Sequence, residues 1–140
     1  MDPIPDELAA LAGKYGLRDV YAFGSRSADI AGRGGVGDSD PSESDLDVGV
    51  QPLPGRTLAA RDRVRLAGEL EALFRVPRVD LVVLPEASAF LAFEVVSGEL
   101  LYTSDEHAQA EYELYVLRRA ADLAPFRRDR VRQILTSGAR

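Results

Sequence analysis

Three aspartates and a glycine–serine pair are the residues of this 140-residue chain best placed to do chemistry. Asp45 and Asp47 sit in Ser44-Asp45-Leu46-Asp47-Val48-Gly49-Val50, where Leu46, Val48 and Val50 alternate with Asp45, Asp47 and Gly49. A period of two is the mark of a strand, and it turns both carboxylates to one face. Neighbouring carboxylates disfavour each other's ionisation. A divalent cation between them removes that conflict, and oxygen-only ligands suit Mg²⁺ or Mn²⁺. Asp80 interrupts the otherwise apolar run Val79-Asp80-Leu81-Val82-Val83-Leu84. A charge there is costly unless it meets a metal or an ion-pair partner, and Arg78 is a ready partner. Gly24-Ser25 ends the β-favouring run Val20-Tyr21-Ala22-Phe23. Glycine lets backbone amides approach a phosphate closely, and the serine hydroxyl adds a donor. Each feature taken singly also has a plain reading as a solvated turn, a strand end or an ion pair.

The elements that must position these groups are readable from pattern. Pro5-Asp6-Glu7 followed by Leu8, Leu11 and Ala12 predicts a first helix that closes near Gly13 to Gly16. Residues 31–44, rich in Gly, Ser, Asp and Pro, have no apolar period and read as a loop whose Asp38, Asp40 and Glu43 are solvated. After a turn at Pro52-Leu53-Pro54-Gly55, Thr57 is expected to cap a helix burying Val64, Ala67, Leu70 and Phe74. Arg78 to Leu84 reads as a strand ended by Pro85, followed by a helix from about Ala87 to Val96 and a strand from Leu100 to Thr103. Ser104 or Asp105 is expected to cap a last long helix reaching about Leu123, which Pro125 bends or ends. Two stripes mark that helix: Tyr112, Val116, Ala120 and Leu123, then Leu114, Leu117, Ala121 and Ala124. Together they cover about half its circumference, more than the ~100° of an ordinary surface helix. It is either deeply packed in its own domain or in contact with a second chain. The sum is an α+β domain, a small mixed sheet packed by helices, spanning residues 1–140 with its core at about 8–103 and a helical segment at about 104–135.

Composition narrows the classes. No cysteine is present, so disulfides and thiolate–metal sites are excluded. No stretch resembles a membrane span or a signal peptide, and the default location is the cytoplasm. A net charge of −6 argues against broad contact with nucleic acid. From Leu117 onward, however, seven arginines stand against two aspartates, which suits either a solvated face or the docking of an acidic partner. His107, the sole histidine, lies beside Asp105 and Glu106 and reads as an exposed helix residue.

Read together, Tyr21-Ala22-Phe23-Gly24-Ser25-Arg26, Ser44-Asp45-Leu46-Asp47-Val48-Gly49-Val50 and Val79-Asp80-Leu81-Val82 resemble the minimal nucleotidyltransferase (MNT) family of the polymerase-β superfamily. The resemblance covers about residues 8–103. It departs in a longer gap between Gly-Ser and Asp-x-Asp than the family usually has. What it implies is a nucleotidyltransferase in which Asp45, Asp47 and Asp80 hold Mg²⁺ and carry catalysis, and Gly24, Ser25 and Arg26 bind the phosphates of ATP. Members of this family often act as antitoxins beside a helical HEPN-type ribonuclease toxin. The resemblance therefore implies AMP transfer to a tyrosine of such a toxin, docked through the C-terminal helix, with a homo-oligomer also open. Alternatives are a non-catalytic module that masks its partner, and a small-molecule, aminoglycoside-type nucleotidyltransferase.

Overall fold

In a computed structural model, which describes the backbone of residues 4–24 and 45–138 and side chains as far as residue 124, acidic and basic residues flank the first helix in the order its dipole favours. Asp6 and Glu7 stand in the first turn and Lys14 in the last of α1 (Ile4–Tyr15). Gly16, at φ +67°, ends it. Strand β1 (Leu17–Phe23) follows and closes at Gly24, φ +83°. Strand β2 (Leu46–Pro52) leads through the turn at Gly55 to α2 (Ala60–Phe74). Strand β3 (Val79–Val83) passes into a short 3₁₀ turn at Leu84–Glu86 and then α3 (Ala89–Val96). There Ser88 Oγ accepts the Leu91 amide at 3.1 Å, a side-chain N-cap. Strand β4 (Glu99–Thr103) precedes α4 (Glu106–Gly138), where Asp105 Oδ1 accepts the Ala108 amide at 3.0 Å.

The sheet order is β3-β2-β1-β4. β1 is antiparallel to both β2 and β4, whereas β2 and β3 run parallel, the long α2 crossover making that pairing possible. Alternation along β1 divides the core between two faces. Val20 and Ala22 join Leu46, Val48 and Val50 under α1 and α2, with Leu8, Ala12, Leu66, Leu70 and Phe74. Tyr21 and Phe23 face the other way, toward Ala92, Val95 and Val96 of α3 and Val116 of α4.

A polar network ties α4 to the sheet. Gln109 donates to the Tyr21 hydroxyl at 2.8 Å, and Tyr21 donates to Glu113 at 3.1 Å. Burial pushes the Tyr21 hydroxyl well above the ordinary phenol range. Asp19, fully buried, accepts from Thr103 Oγ1 at 2.7 Å and from Arg18 at 2.8 Å, so its charge is paired.

Three local expectations change. Thr57 does not cap α2: the N-cap is Ala59, which makes no side-chain cap bond. Val64 is 74% exposed, and the buried row runs Leu66, Leu70 and Phe74. These three repeat every four residues, so Val64, about 200° from Leu66 on the wheel, points to water. Pro125 does not end the last helix, which continues to Gly138. Proline there removes one N–H from the ladder, a loss that a 33-residue helix absorbs. Of the two stripes on α4, Val116 and Ala120 are buried while Leu114 and Leu117 are exposed.

Candidate active site

Strand pairing brings the separate sequence signals to one end of the sheet. Phe23 pairs with Asp47 across β1 and β2, and Asp47 pairs with Asp80 across β2 and β3. Residues in parallel register sit about 4.8 Å apart and point to the same face. That face carries α3, because Leu46, Val48 and Val50 occupy the opposite one. Gly49, two residues beyond Asp47, accounts for how closely α3 lies there. A β-carbon at Gly49 would stand 2.3 Å from Val95 Cγ1. The missing side chain lets α3 settle on the sheet, and with it comes Glu94.

The electrostatics are those of crowded carboxylates. Asp47 is held above the usual aspartate range, first by burial and then by the charges of Asp80, Asp45 and Glu94. Gly24 completes the arrangement: a β-carbon there would lie 2.7 Å from Asp47 Oδ2, so the carboxylate occupies space that only glycine leaves open. Asp45 is exposed at the entrance to β2, where the Leu46 amide donates to Arg78 O at 3.0 Å. Asp80 Oδ1 meets Arg78 Nε at 3.1 Å, the ion pair that the sequence offers as an alternative to metal. Among the described residues, no three His, Cys, Asp or Glu side chains are grouped so as to hold a metal ion.

The chemistry of these side chains nonetheless suits a divalent cation. Mg²⁺ keeps several waters and is commonly held by one or two carboxylates plus substrate phosphates. Asp45 and Asp47 suffice for that, and the mutual repulsion around Asp47 is what a cation relieves. The residues fit. Asp80 would join them only by leaving Arg78.

No protein-family model and no curated protein matches the chain. Solved structures do. It is similar to a chain of a toxin–antitoxin complex with AMP-PNP, with a TM-score of 0.70 at 22% identity, covering 94% of this chain and 98% of that one. A chain of the toxin–antitoxin complex MntA–HepT gives 0.69 at 20% identity, covering 96% and 99%. A third match, 0.68 at 21% identity over 94% and 96%, is to the complex of a tri-AMPylated Shewanella oneidensis HEPN toxin with an MNT antitoxin. The chain shares the fold of these chains.

Gly24, Asp45, Asp47 and Asp80 gather at one sheet end, although Asp80 is engaged by Arg78. Ser25 and Arg26, and with them Asp38, Asp40 and Glu43, lie outside the described residues. His107 is an exposed helix residue whose Nε2 is 3.1 Å from Glu111. Glu94 is legible in sequence only as a lone charge in the apolar segment Ala89–Val96, with nothing there to bring it to Asp47.

A concavity lies beyond the other end of β3. A cleft of ≈110 Å³ opens between Leu84, Pro85 and Ala92 on one side and Tyr112, Tyr115 and Arg119 of α4 on the other. Burial is the main cause of the Tyr112 hydroxyl being pushed up to about 12.

Gly24 gives a direct test of the glycine contact. Gly24→Ala places a β-carbon at φ +83° and against Asp47 Oδ2. Left-handed backbone costs an L-residue about 1–2 kcal/mol, so denaturant unfolding should show a loss of that order.

Proposed function

We propose that this chain is an MNT antitoxin that uses Mg²⁺ and ATP to transfer AMP to a hydroxyl, a tyrosine of a HEPN-type toxin. The observation that carries this reading is the register of Asp47 opposite Asp80, with Gly24 packed on Asp47. Asp45 and Asp47 would hold the cation, whose contribution when bound is to neutralise the triphosphate oxygens. Gly24 and Ser25 would present backbone and hydroxyl donors to the phosphates, with Arg26 beside them. Asp80, released from Arg78, would take the proton of the acceptor hydroxyl. The acceptor oxygen forms its bond to the α-phosphorus as the bond to the bridging oxygen breaks, and pyrophosphate leaves.

The partner is seated on the C-terminal helix, on the flank where Tyr115 and Arg119 border the cleft. No helix among the described residues is long and apolar enough to cross a membrane, and the proposed setting is the cytoplasm.

The experiment is incubation with ATP labelled at the α-phosphate, Mg²⁺ and the HEPN partner. Label is expected on the partner and should vanish with Asp45→Asn. An unlabelled partner that is still bound and inhibited, equally by wild type and by Asp45→Asn, would replace transfer with steric masking.

A further inference from the structure

We infer that Arg78 is the resident counter-ion of the acidic site. In the metal-free chain its guanidinium holds Asp80 and opposes a bare dication; it gives way when the dication arrives with a triphosphate. This role deepens the proposed use of Mg-ATP and rests on it.

Backbone pairing puts Arg78 there. β2 and β3 run parallel, with Leu46 opposite Val79 and Asp47 opposite Asp80. Arg78 precedes Val79 as Asp45 precedes Leu46, and its carbonyl oxygen accepts the Leu46 amide at 3.0 Å, between the two aspartates of β2. A spacing of two turns extended side chains the same way, and Arg78 Nε stands 3.1 Å from Asp80 Oδ1.

Charge sets the order of loading. A guanidinium keeps its positive charge at every working pH, so Asp80 has a cation supplied by its own strand. A dication approaching Asp45 and Asp47 alone meets that charge and finds Asp80 already paired. A metal–triphosphate complex carries net negative charge, and the same guanidinium attracts it. The pair is also free to exchange. The side chains of Arg78 and Asp80 are 68% and 43% exposed, and β3 is an edge strand. Exposed ion pairs hold weakly and part readily. A buried pair at this place would lock Asp80 away from the site.

Mn²⁺ is the probe, titrated by calorimetry into the full-length chain without nucleotide and then with ATP present. Arg78→Gln should bind Mn²⁺ alone about tenfold more tightly than wild type, the order of effect of one unit charge on a nearby divalent ion at a protein surface. It should bind Mn-ATP no more tightly than wild type does. Arg78→Lys keeps the charge and should bind Mn²⁺ alone as wild type does. Arg61→Gln removes the same charge from the exposed start of α2, on the opposite face of the sheet, and should change neither affinity. With Asp80→Asn already in place, Arg78→Gln should add little, because no carboxylate remains to be freed. Equal Mn²⁺ affinities for wild type and Arg78→Gln, both abolished by Asp45→Asn, would overturn this role and leave the transfer reading standing. An equal gain in Arg61→Gln, or an Arg78→Gln variant weakened in both titrations, would overturn it as well. No Mn²⁺ bound by any of these proteins, with or without ATP, would remove both readings.

Discussion

Asp47→Asn should lower nucleotidyl transfer by about a thousandfold, the scale on which losing one preorganised electrostatic group acts, while leaving the metal-free protein at least as stable as wild type. The two halves of that expectation have one cause. Asp47 lies among Asp80, Asp45 and Glu94, and burial together with those three charges raises its carboxyl above the ordinary aspartate range. A group whose proton is held more firmly in the folded chain than in the unfolded one stabilises the fold at low pH. That contribution is lost as pH rises through the raised value. At neutral pH without metal the ionised side chain is therefore a net cost to folding, and asparagine removes it.

Magnesium reverses the ranking. A cation bound by Asp45 and Asp47 adds stability in proportion to its saturation of the folded state. Melting curves in chelator and in excess Mg²⁺ separate the cases. Wild type should gain from the metal and the asparagine variant should not. A variant that melts lower than wild type in chelator would mean that Asp47 is held by a favourable partner, against the crowding around it.

Asp47 also shows how far sequence reaches. Alternation of Leu46, Val48 and Val50 with Asp45, Asp47 and Gly49 is a local property, and the three apolar residues are indeed fully buried. That Asp80 should lie opposite Asp47 is not local, since the parallel pairing is made across α2. The approach of Glu94 is further removed still, because it depends on Gly49 leaving room for Val95. Helix phase is misread where an apolar residue stands off the buried face: Val64 lies about 120° from Leu70 on the wheel and Leu66 about 40° from it, so Leu66 shares the buried row and Val64 does not. The side-chain cap at Asp105 is simpler, since it acts on a backbone amide three residues on. For α4, pattern alone offers two apolar stripes. Only the packing of Val116 against α3 and the sheet tells which of them the domain uses.

Gly98→Ala should be the most destabilising of the glycine substitutions, at about 3 kcal/mol, the upper part of the range for overpacking. A β-carbon there would lie 2.3 Å from the Ala22 carbonyl oxygen and 2.9 Å from Phe23 Cα. Backbone atoms of a strand paired on both sides cannot turn aside as a side chain can. The clash must instead be relieved by parting β1 from the segment joining α3 to β4, and β1 is the strand that presents Gly24 to Asp47. Heat and chemistry should therefore fail together: a melting point lower by ~10 °C, and weaker Mg-ATP binding at temperatures where the variant is still folded. At Gly68, exposed within α2, a β-carbon would have no neighbour within 4 Å. Gly68→Ala should accordingly stabilise the chain by up to ~1 kcal/mol through helix propensity. Opposite signs for one chemical change would locate the constraint in the β1 contact. Equal and small effects at both positions would mean that the end of β1 can yield, and with it the placement of Gly24 beside Asp47.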